Sequence, residues 1–107
     1  MNESEITQTK EMLGIAFKTF KMSHSFQYGS FVRWKPGMKN RKHPAYGEPA
    51  IVMEMLPTAI LDKKSEGDST SALFREPLDL VLGVFTTHDG EFLLFHYDSR
   101  RFEPLPG

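Results

Sequence analysis

Between Arg33 and His43 the chain carries Arg33, Lys35, Lys39, Arg41 and Lys42 and no acid. The whole chain has 13 Lys and Arg against 14 Asp and Glu, a formal net charge of -1. A nearly neutral protein has therefore placed five positive charges in one short stretch, with Trp34 and Tyr46 beside them. Cations neutralise phosphates and aromatic faces stack on bases, so the combination suits nucleic acid. It suits an acidic protein surface as well. The two rings alone offer a third use, gripping a Pro-rich segment between loops. The alternative to all three is a solvated loop that maintains solubility over a buried Trp34. The expected contact set is Arg33, Trp34, Lys35, Lys39, Arg41, Lys42 and Tyr46, flanked by Arg100 and Arg101.

Other constellations carry less chemistry. The four histidines, His24, His43, His88 and His96, show no helical metal-binding spacing, and there is no Cys to join them. The absence of Cys also excludes a disulfide framework and a thiolate nucleophile. His96 and Asp98 stand two apart, which on a strand puts both on one face and within reach of each other. Ser99 follows without the Gly-x-Ser-x-Gly setting of an activated serine. Asp79 or Glu76 is expected to pair with Arg100 or Arg101, with an anion site at the two arginines, continuous with the basic loop, as the functional alternative. Gly83 lies in an apolar run and reads as a bulge or a close contact, not a phosphate loop. No catalytic set, metal site or cofactor is expected.

The elements that must position these residues are legible from periodicity. Residues 4–22 have apolar positions Ile6, Leu13, Ala16, Phe17 and Phe20 at helical spacing, with Asn2 and Glu5 placed for a capping box, or Ser4 alone as the cap. Everything after Ser23 reads as β. The expected strands are 31–34, 50–56 (closed by Pro57), 78–85, 91–97 and 102–105, with an Asp89-Gly90 turn before the fourth. In 91–97 both alternating sets are apolar, so one face is expected on the core and the other under the helix. Residues 35–48 form a basic loop. Residues 58–75, whose centre reads DKKSEGDSTS, form a connection too polar to fix itself and expected to be mobile.

The length of 107 residues fits one domain. Five short strands with a single turn before the last give a mainly β, α+β fold: a small antiparallel SH3-like barrel over about 26–105, with one N-terminal helix packed on it. A plain antiparallel sheet backed by a helix is the other arrangement. Over residues 26–105 the chain resembles the hemimethylated-DNA-binding (heat-shock protein Q) family of small bacterial barrels. The resemblance rests on Phe26-Gln27-Tyr28-Gly29 leading to Val32-Arg33, and on Tyr46-Gly47 leading to Ile51-Val52. It continues through Pro77-Leu78 with Val81-Leu82, Asp89-Gly90, and Phe102-Glu103-Pro104. The 14-residue basic loop and the N-terminal helix depart from that group. The resemblance implies a binding protein, directed to marked DNA or to a protease system, and carries over no individual binding residue.

The composition and N-terminus complete the expectation. MNESEITQTKE is polar and acidic where a signal peptide would be basic and then apolar, and no stretch is long enough to span a bilayer. The expected protein is cytoplasmic, does not engage a membrane and is not an enzyme. It acts as a bacterial accessory or adaptor, with a protein partner ahead of nucleic acid, and a homodimer through the N-terminal helix is a further expectation.

Overall fold

A capping box starts the long helix at the N-terminus. In a computed structural model, which describes residues 1–62, 74–87 and 90–106, helix α1 spans Glu3–Lys21. The Asn2 side chain accepts from the Glu5 amide at 2.8 Å, while the Glu5 carboxylate takes the Asn2 amide. Glu3 and Glu5 lie at the positive end of the helix dipole and Lys18 and Lys21 at the negative end. The helix nevertheless buries none of its residues. Among the described residues no helix is long and apolar enough to cross a membrane.

The strands are β1 (Phe31–Trp34), β2 (Ala50–Leu61), β3 (Pro77–Phe85), β4 (Phe92–Tyr97) and β5 (Phe102–Pro104), with one 3-10 turn, Ser99–Arg101, before the last. All neighbouring pairs are antiparallel, in the order β4-β3-β2-β1-β5. The fold is thus the mainly β, α+β arrangement expected, but the sheet is not closed: β4 and β5 remain edges, so the term barrel applies only loosely. β2 runs past Pro57 to Leu61 because the ladder changes register between Met55 and Ile60. That irregularity accommodates a residue with no amide hydrogen to donate. The turn at Asp89 and the centre of the connection, residues 63–73, lie outside the described residues, as does His88.

One side of the sheet closes on Val32, Trp34, Val52, Leu80, Leu82, Tyr97 and Phe102. The Trp34 ring stacks on Phe102 with centroids 4.2 Å apart, and Tyr97 meets both edge-on. Gly83 marks a close approach, but of a side-chain ring and not of a second backbone, which its sequence setting suggested. A Cβ there would fall 2.3 Å from the Phe92 ring, which crosses over the backbone.

Helix α1 is fastened at one end. Lys35, only 1% exposed, sends its ammonium to the Thr19 carbonyl at 2.6 Å and to the Met22 carbonyl. A cation here satisfies acceptors at the negative end of the dipole. The Phe20 ring lies under the Arg100 guanidinium, 4.4 Å from its centroid, with Arg101 next to it. Phe17, expected to dock beside Phe20, is exposed. Burial lowers the pKa of Lys35, with Glu103 and Asp98 opposing that shift. Lys35→Met keeps the packed stem and removes the charged donor. It should destabilise the protein by roughly 1.5–3 kcal/mol and reduce helical signal, read from urea midpoints and far-ultraviolet circular dichroism. An unchanged midpoint would show that the ammonium does not hold the helix.

Candidate binding surface

The loop following β1 is shaped by what lies beneath it. Gly37, at φ 74°, allows the tight turn in which the Met38 amide donates to the Lys35 carbonyl. A second turn, Ala45 to Glu48, closes with Gly47 at φ 83°. Between them the chain is tied down at two consecutive carbonyls. Tyr97 Oη donates to His43 O at 2.8 Å, and Trp34 Nε1 donates to Pro44 O at 2.6 Å. Pro44 is itself buried.

This geometry divides the expected contact set. Trp34 is 2% exposed and Lys35 1%, so neither belongs to the contact surface: one is a core ring that anchors the loop, the other a helix clamp. Arg33, on the strand face opposite Trp34, sits in register with Glu103 and binds it at 2.8 Å. Arg41 reaches Asp62 at 2.5 Å. Arg100 is held by Asp98 through two nitrogens at 2.9 and 2.7 Å. Arg101 binds Glu76, one of the expected pairings, and donates to Met38 O, whereas Asp79 pairs with neither arginine in the bonds described and accepts from the Ser99 amide and hydroxyl, both at 2.8 Å. Asp98, buried and committed to Arg100, is not the partner of His96. Lys39 and Lys42 form no ion pair among the described residues. Tyr46 is 53% exposed, and its hydroxyl accepts from the Lys39 amide at 3.0 Å.

The loop and the sheet enclose a pocket of about 310 Å³. Arg41, Lys42 and His43 form one wall. Phe95, His96 and Tyr97 of β4, with Leu78 of β3, supply the side across from it. The Arg41–Asp62 pair closes one flank. An exposed ammonium and the His43 imidazole on one side, with His96 among aromatic and aliphatic side chains on the other, suit an anionic group attached to an apolar body. Among the described residues no group of three or more His, Asp and Glu stands close enough to hold a metal ion.

Beside the pocket lies a surface the sequence did not reveal. β4 is an edge strand, and Phe92, Leu93, Leu94 and Phe95 are between 39% and 50% exposed. Of the expected cover, core on one face and α1 on the other, the core is met at Tyr97, the one buried residue of the strand. The double alternation of apolar residues was the available signal. It indicates that both faces need cover without saying whether this chain provides it.

Comparison with protein-family models, with curated proteins and with solved structures gives no match.

Tyr97 reports on the integrity of the site. Burial raises its pKa from 10.0 to about 12, and only the opposing charge of Arg41 moderates the shift. Because the phenol ionises more readily in the unfolded chain, rising pH weakens the fold across the window from 10.0 to about 12, by up to ~3 kcal/mol. Denaturant titrations through that window should show this decline, and Tyr97→Phe should flatten it. Parallel pH profiles for the two proteins would contradict the assignment.

Proposed function

We propose that the chain is a small binding module, without chemistry of its own, that engages a protein partner as an accessory or adaptor, with the cytoplasm as its expected setting. The contact surface is the pocket under Arg41–His43, together with Lys39, Lys42 and Tyr46 on the loop above it. The observation that carries this reading is the convergence of an aromatic floor with positive charge and an apolar sheet edge that are both unpaired among the described residues. Proteins seldom leave such a combination facing water unless something covers it.

The distribution of charge favours protein over nucleic acid. Of the nine residues first expected to make contact, four arginines are engaged by acids of this chain, and Lys35 and Trp34 are buried. What remains is a local patch, not the continuous cationic track with stacking rings that follows a phosphate backbone. The resemblance to the hemimethylated-DNA-binding family is compatible with either partner, and its suggestion of a protease system is the closer fit.

The test is capture from a lysate on immobilised protein, with and without nuclease, comparing the native sequence with Lys42→Glu and Tyr46→Ala. Both side chains are exposed, so thermal stability should be unchanged. Bound protein should survive nuclease treatment and fall by roughly tenfold in Lys42→Glu, the loss of about 1.4 kcal/mol. Capture abolished by nuclease would assign the surface to nucleic acid. Capture indifferent to both substitutions would remove the surface altogether.

A further inference from the structure

We propose that the partner fitted to this surface is a second copy of the chain, with the two β4 strands paired antiparallel about a two-fold axis at Leu94. The inference rests on the reading of the pocket as a protein-binding surface and names its occupant.

The backbone demands a partner first. Among the described residues β4 bonds to β3 alone, in an unbroken ladder from Phe85↔Phe92 to Leu80↔Tyr97, and the amides and carbonyls on its other side meet no strand. The opposite edge is protected: β5 is three residues long, contains Glu103 and ends at Pro104. Between Phe92 and Phe95 β4 has neither a charge nor a proline, the devices that normally keep an edge from pairing. Apolar side chains project on both of its faces, so a single added strand alongside β4 covers part of each.

The sequence of β4 then selects the occupant. Antiparallel edge pairing is self-complementary, and a symmetric pair sets one residue opposite its own copy. With Leu94 on the axis, Leu93 faces Phe95 of the second copy and Phe92 faces His96. Glu91, exposed at the head of the strand, faces Tyr97. Tyr97 lies on the pocket floor and bonds to His43. Each Glu91 is thereby carried to the wall formed by Arg41, Lys42 and His43 of the other copy. The anion with an apolar neighbour that the pocket suits is the Glu91-Phe92 end of the same strand.

The area fits a reversible dimer. Four side chains left about half exposed, with Phe85 packed against Phe92 and the two loop walls, bring the pair to roughly 1,000 Å² in total, the low end of specific interfaces. Dissociation in the micromolar range is therefore expected.

Sedimentation equilibrium of the full chain over a range of concentrations tests this directly. The native sequence should pass reversibly from one chain to two. Glu91→Lys and Lys42→Glu should each weaken association by roughly tenfold, and the two together should restore it. Leu94→Lys, at an exposed position, sets two ammonium groups against each other on the axis and should leave a folded monomer, as judged by circular dichroism. A single-chain mass at every concentration overturns the pairing, and so does a dimer that ignores Leu94→Lys and both charge reversals. In either case, Lys42-dependent capture of a different protein would leave the pocket's role as a binding surface intact, so the two readings fail separately.

Discussion

Two hydrogen bonds to adjacent carbonyls determine what this chain presents to its surroundings. Trp34 and Tyr97 rise from the core and donate to Pro44 O and His43 O. Both donors come from rings that the core needs for their bulk, and both have a polar atom that burial would leave unsatisfied without an acceptor. The loop supplies these acceptors and is fixed by doing so. Its descent onto the sheet buries Pro44, turns Arg41 towards Asp62 and forms the wall of the pocket. The pocket is thus a by-product of satisfying two aromatic donors.

The same economy governs the charges. A cluster in sequence need not be a cluster in space, because a strand alternates its faces and a loop reverses direction. Arg33 points away from the core and meets Glu103, its register partner. Lys35, two residues later, goes inward to the end of α1. Glu76 gathers Arg101 and Asn40, linking β3, the final turn and the loop. Ion pairs of this partly buried kind contribute little net stability and fix relative placement instead. The free charge that remains is small and concentrated at Lys39 and Lys42, next to the pocket.

Much of the architecture was legible. The capping box, the five strands and the turn before the last are local patterns, and local patterns survive folding. The extension of β2 beyond Pro57 was not legible, because a bulge rescues the ladder only in the presence of β3. At the site, the sequence identified the loop but not its polarity of burial. Whether Trp34 faces in or out depends on Pro44 arriving above it, a contact between residues ten apart in a segment with no periodicity. Nor could the pattern of β4 reveal that α1, fastened at its last turn, leaves Phe92 to Phe95 partly exposed.

The fate of Trp34 decides the account, since an outward ring would release the loop, dissolve the pocket and return the cations to solvent. The chain has one Trp, so its indole N–H gives a single resonance whose exchange with solvent can be followed by NMR. Exchange should be slowed by several orders of magnitude, approaching the protection of the sheet core. Exchange at the rate of a free indole would contradict it.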